Sequence, residues 1–223
     1  MAKPIKRKKA RELRRKRWKI TDIASKVDVR RETVSKWCQD IELTDEQIKV
    51  LAKDNPRWLI LHEAAQQTKR EALHQRLAYQ EAGRQRAVDG SILHLKGCIL
   101  YWGEGAKSRN HLRFTNTDPH MIKLFMQFLR EEFQVTDDVI YLHIMHHTIE
   151  EDEIDAIEQY WLHWLDLSAE CTVKMQLKKG TKSRKTHYEN GICAICVNNT
   201  EILHHIYGAI QEYLGFDNPD WLK

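Results

Sequence analysis

The chain predicts an α+β protein with an all-α N-terminal domain, a long linker helix and a C-terminal domain that alternates strands with helices. Three observations carry this. Apolar residues recur at helical spacing in two short segments between positions 20 and 41. Residues 57–89 contain one glycine and no proline, and are rich in Ala, Gln, Glu, Arg and Leu, which are good helix formers. From residue 91 onward, stretches that alternate every second residue follow stretches with helical periodicity. The expected boundaries are 1–52, 53–89 and 90–223.

The first domain rests on "ITDIASKVDVRRETVSKWCQDI", residues 20–41. Ile20, Ile23, Ala24 and Val27 share one helical face, and so do Val34, Trp37 and Ile41. Between them "VDV" makes a tight corner. Two short helices meeting at such a corner form a helix-turn-helix, whose second helix enters the major groove of DNA. Ala24 is the small residue that lets the helices approach, and Val29 and Val34 belong to the core. Arg30, Arg31, Thr33, Ser35 and Lys36 are then free to reach bases or phosphates. The Arg fork suits guanine, whereas Lys and Ser more often hold phosphate. The arrangement resembles the helix-turn-helix of resolvases and many bacterial regulators. Asp28 stands where that pattern has Gly, and Asp tolerates the left-handed backbone better than most residues.

Charge points the same way. The net charge is +4, yet the first 50 residues hold 16 Lys/Arg against 8 Asp/Glu, and residues 3–19 hold 11 basic side chains against one acid, Glu12. This basic arm, with Arg14, Arg15 and Arg17, is expected to be the domain's first helix. It carries no amphipathic apolar face, so nucleic acid fits it better than a membrane surface. No apolar run approaches the roughly 18 residues of a bilayer span. The basic start lacks a following apolar h-region, so no secretory signal and a cytoplasmic location are expected. Five scattered cysteines fit reduced thiols. Cys193 and Cys196 form a C-x-x-C, but "GICAICVNN" reads as a strand. A strand sends those thiols to opposite faces, wrong for a redox turn or a zinc knuckle.

The linker, about 30 residues and so roughly 45 Å long as a helix, is expected to be partly exposed, with an Arg-rich far end within reach of DNA. After it, residues 91–104 are too apolar all round for a surface helix. Gly97, Cys98 and Gly103 would let one face meet another helix closely, and Gly105 is expected to supply the left-handed residue that stops this one. Glu104 then sits in the last turn, where the helix dipole disfavours a carboxylate. Something positive is expected beside it, either a metal ion or a DNA-facing base such as Lys107 or Arg109.

Gly103-Glu104-Gly105 resembles the close of the LAGLIDADG signature of homing endonucleases. The elements that follow extend the resemblance over residues 91–216. "LRFTNTDPHMIKLFMQFLREEF" reads as strand, turn and helix, "DVIYLHIMHH" as a strand, and "EDEIDAIEQYWLHWL" as an acidic amphipathic helix. "CTVKMQLKK" and "GICAICVNN" read as a strand pair, and "TEILHHIYGAIQEYLG" as a closing helix. That order is close to the family's α-β-β-α-β-β-α half with one helix inserted. The resemblance implies a saddle with an antiparallel sheet lying over double-stranded DNA. It also implies a homodimer, because only one such motif occurs, and a Mg²⁺ ion held by Glu104 from each subunit if the protein is a nuclease. On that saddle Arg113 and the loop residues Lys178, Lys179, Lys182, Arg184 and Lys185 would lie along the DNA backbone.

His146-His147 and His204-His205 are expected to be satisfied or exposed imidazoles, since no spaced Cys or acid completes a ligand set. The acidic run Glu150–Glu158 is expected on the side away from DNA. Two functions follow: a DNA-binding regulator or mobile-element-derived DNA binder, and a Mg²⁺-dependent endonuclease with Glu104 as the catalytic residue, an ionised metal ligand.

Overall fold

The computed structural model describes residues 3–53, 56–168, 171–178 and 188–222. The chain is mixed α and β and divides into two compact units, Met1–Glu71 and Ala72–Lys223.

In the first unit, α1 (Lys3–Arg15), α2 (Ile20–Val27) and α3 (Arg31–Cys38) pack on one another, followed by α4 (Asp45–Lys53). Ala10, Ile23, Ala24, Val27, Val34 and Cys38 form the core, with Ile20, Val29, Trp37 and Ile41 against it. The basic arm is therefore a core helix on its Ala10 side. At the corner, Asp28 adopts the left-handed conformation with φ 51 and ψ 62. The Lys6 ammonium holds this turn, donating to Asp28 O at 3.0 Å and meeting its carboxylate at 3.2 Å.

Helix α5 (Pro56–Val88) is 33 residues long and runs through the division at residue 71. Its second half is more than a spacer. Arg76 and Gln80 are buried in the second unit, where Arg76 donates to Leu222 O at 3.0 Å. Here α5 crosses α9 (Thr200–Leu214) backbone to backbone. A Cβ on Gly83 would lie 1.9 Å from His205 O, and one on Gly208 would lie 1.9 Å from Gln80 O.

The rest of the second unit is a four-stranded sheet backed by helices α6 (Ile92–Glu104), α7 (Pro119–Phe133) and α9, with α8 (Glu151–Trp164) packed beside β3. The strands β1 (Leu112–Asn116), β2 (Ile140–His146), β3 (Thr172–Leu177) and β4 (Ile192–Val197) lie in the order β1-β4-β2-β3. Helix-side residues Leu112, Phe114, Leu142, Ile144, Ile195 and Val197 join Tyr101, Phe125, Phe128 and Tyr207 in one core.

Two expectations about this sheet need correction. It is mixed, not antiparallel, because β2 and β3 run parallel. The inserted helix α8 is the cause: a helical crossover between adjacent strands returns the chain in the same direction. Nor are β3 and β4 a strand pair, since β4 lies between β1 and β2 and pairs antiparallel with both. Burial explains that choice. Cys193 to Val197 are buried on both faces, which suits a central strand, whereas Thr172, Lys174, Gln176 and Leu177 are exposed, as on an edge.

Among the described residues no helix is long and apolar enough to cross a membrane. All five cysteines are buried and unpaired. The paired histidines are satisfied by protein groups: His146 Nδ1 donates to Thr148 O at 3.0 Å and His147 Nδ1 to Lys178 O at 2.9 Å. His204 Nε2 donates to Arg109 O at 3.0 Å, and His205 is hydrogen-bonded to His94, their Nε2 atoms 3.1 Å apart.

Candidate nucleic-acid interface

The sheet's open face is set by strand alternation. Arg113, Cys196, Tyr141 and Thr172 lie side by side across it, and Thr115, Ala194, His143 and Lys174 make the next row on the same side. Met145 and Gln176 continue it. The small Ala194 and Cys196 on the central strand form a floor between taller flanking residues. No strand residue is acidic. The face thus offers two cations, imidazole, hydroxyl and amide groups without a carboxylate.

These groups orient one another. Arg113 Nη2 donates to His143 Nδ1 at 2.8 Å, and His143 Nε2 then donates to Gln176 Oε1 at 2.5 Å. Accepting at Nδ1 while donating from Nε2 requires the neutral imidazole. Consistently, burial first, then the nearby Arg113 and Lys174 charges, lowers the His143 pKa below its ordinary value, against an opposing pull from Gln176. Beside this chain, Tyr141 OH donates to His111 Nε2 at 3.1 Å, and His111 Nδ1 donates to Asn198 Oδ1 at 2.8 Å. Of this face, sequence reasoning named only Arg113. The missed residues were signalled by period-two alternation in "IYLHIMH" and "TVKMQL", which puts Tyr141 and His143, and Thr172, Lys174 and Gln176, on single faces. The acidic helix α8 contributes Ile157 and Trp161 to the core behind the sheet, so it belongs to the opposite layer.

At the end of α6, Glu104 is exposed. The expected positive group is Lys107, whose ammonium donates to the carbonyls of Tyr101, Trp102 and Gly105 at 3.2, 2.5 and 2.8 Å. It neutralises the negative helix end directly. Burial lowers the Lys107 pKa, and the Glu104 charge opposes that shift. Gly105 does not take the left-handed conformation expected of it; its φ is −72. Glycine is needed there for space, because a Cβ would meet the Tyr101 ring at 2.5 Å.

A Mg²⁺ ion at this helix end would need donors beyond those of one chain. Such an ion draws on several oxygen groups. Glu104 supplies one carboxylate, and the neighbouring carbonyls already accept from an ammonium that would repel the cation. Among the described residues no group of three His, Cys, Asp or Glu is disposed to hold a metal.

Arg109 is exposed, and so is Lys178 at the end of β3. Lys179, Lys182, Arg184 and Lys185 lie outside the described residues.

In the first unit, Arg30 stands exposed just before the first turn of α3, and Arg31, Ser35 and Lys36 project from the helix into solvent with Thr33 half-buried. Arg15 is exposed, and Arg17, at φ 72, lies 3.9 Å from Glu46. Arg14 requires correction. It is only 9% exposed and donates to Trp18 O at 3.0 Å, and burial lowers its pKa. It faces inward because the helical turn that buries Ala10 also buries the position four residues on. Arg11 is likewise held, gripping the Asp40 carboxylate at 2.7 Å and depressing its pKa to about 2.

No protein family, curated protein or solved structure matches this chain, so the functional reading rests on these surfaces alone.

Proposed function

We propose that the protein is a double-stranded-DNA-binding regulator that grips the duplex with α3 of its first unit and with the open sheet face of its second. The observation that carries this reading is the acid-free sheet face with Arg113, His143, Lys174 and Gln176 arrayed on it. Arg and Lys suit phosphates and guanine edges, Gln suits adenine, and strands as well as helices enter grooves. The exposed residues of α3 add a second basic reading element.

The regulator works as a homodimer formed on α6. Ile92, Leu95 and Trp102 are 73%, 40% and 44% exposed along one stripe of that helix. Gly103 continues the stripe, with nothing within 4 Å of an added Cβ. Such a stripe suits a self-complementary contact. On this reading DNA is bound without being cut; the exposed Glu104 and the Lys107 ammonium that caps the end of α6 support it.

The test uses the full chain with duplex DNA. Reversing Arg30 and Arg31 to Glu should weaken binding far more than reversing the exposed Lys49. Plasmid incubated with wild-type protein in Mg²⁺ or Mn²⁺ should stay intact, and Glu104→Gln should leave affinity unchanged. Metal-dependent linearisation that Glu104→Gln abolishes would establish the endonuclease in place of the regulator.

A further inference from the structure

Inside the first unit lies a cavity of about 950 Å³, and the buried Arg14 is part of its wall. We propose that this cavity binds a small phosphorylated molecule with an apolar or aromatic body, and that its occupancy releases DNA from α3. The second half of this inference rests on the DNA-binding reading above; the first half does not.

Arg14 is the anchor. The residue is only 9% exposed and its guanidinium donates to a backbone carbonyl, Trp18 O, at 3.0 Å. A cation in that position is costly unless an anion compensates it. The surrounding charge has the same sign, since Arg31, Lys69 and Arg70 also line the cavity. Its acids are Asp40 and Glu42, and Asp40 is already held by Arg11. Ser35 adds a hydroxyl to the wall, and Ile20, Ile41 and Ile48 supply apolar surface for the body of the ligand. Several cations around one buried Arg exceed what a monocarboxylate needs and match a phosphate dianion, which the Arg fork takes in bidentate fashion.

The coupling to DNA follows from shared residues. Arg31 and Ser35 line the cavity and also belong to the exposed side of α3. A phosphate drawn to Arg31 neutralises a charge that the DNA backbone would otherwise use, and two anions cannot hold it at once.

The experiment is calorimetric titration of the full chain, without DNA, with AMP as the probe and adenosine as the uncharged control. AMP should bind saturably and adenosine should not. Lys69→Glu with Arg70→Glu, on exposed helix surface, should weaken AMP about tenfold or more, the loss expected for charge-assisted hydrogen bonds. Arg14→Gln should do the same, with circular dichroism reporting that the helices remain. Reversal of Lys3 and Lys8, on the outer side of α1, should leave AMP affinity unchanged. No saturable AMP binding at millimolar concentration, or equal loss from the Lys3/Lys8 reversal, would overturn the site. If AMP binds as predicted but leaves duplex affinity unchanged, the coupling to DNA is overturned while the site stands.

Discussion

Replacing Arg113 and Lys174 by Met removes both cations from the sheet face and leaves the strands' apolar side untouched. Arg113 is half-buried and Lys174 exposed, and their rows lie on the side away from the core. If each meets one phosphate, each loss should make the slope of log K against log salt shallower by about 0.9. At roughly 0.15 M salt the same relation gives about fivefold in affinity per contact and about thirtyfold for both. Loss of Arg113 also removes the donor to His143 Nδ1 and one of the charges that lower that pKa. The His143 pKa should therefore rise, which NMR titration would read. Filter binding to a duplex across a salt series measures the slope. An unchanged slope with less than a twofold loss would refute the assignment of this face to DNA.

Two further outcomes follow from named contacts. Gly103→Leu enters open space within the chain, so it should leave the fold intact yet separate the dimer. Sedimentation should show a folded monomer where the wild type is dimeric, and a monomeric wild type at micromolar concentration would remove the α6 interface. Burial first, then His94 and Arg86, holds His205 down at about 4 against an opposing pull from Glu132. The unfolded chain, with an ordinary value of 6.5, binds more protons over that range, so stability should fall as pH drops from 6.5 towards 4. His205→Leu should flatten that part of a denaturation-versus-pH profile, and an unaltered profile would contradict the buried-imidazole account.

Much of the architecture was legible. Helical spacing at Ile20, Ile23, Val27, Val34 and Trp37 marked α2 and α3, and the left-handed Asp28 between them is what a short polar residue at that corner allows. The Gly- and Pro-poor run became α5, and the segment around Cys193 and Cys196 that reads as a strand became β4. Pairing was harder, because a strand's neighbours are set by tertiary burial as well as local pattern. The double-sided apolar run Cys193–Val197 did carry the signal for a central strand, and α8 carried the signal for a parallel pair. Glycines were the least legible, since their role depends on what lies opposite. Gly97 faces the Phe128 ring of its own chain, Gly83 faces α9, and Gly105 faces Tyr101. Arg14 misled because a basic run invites a solvent reading, whereas three-helix packing turns one of its positions inward.

In the proposed function the whole chain binds duplex DNA through phosphate contacts from both units. The most direct measurement of this is the affinity of the full-length wild type for a duplex across a salt series. Six phosphate contacts predict a slope of log K against log salt of about −5, with more contacts making it steeper. A slope near zero, or no binding at low salt, would contradict the account.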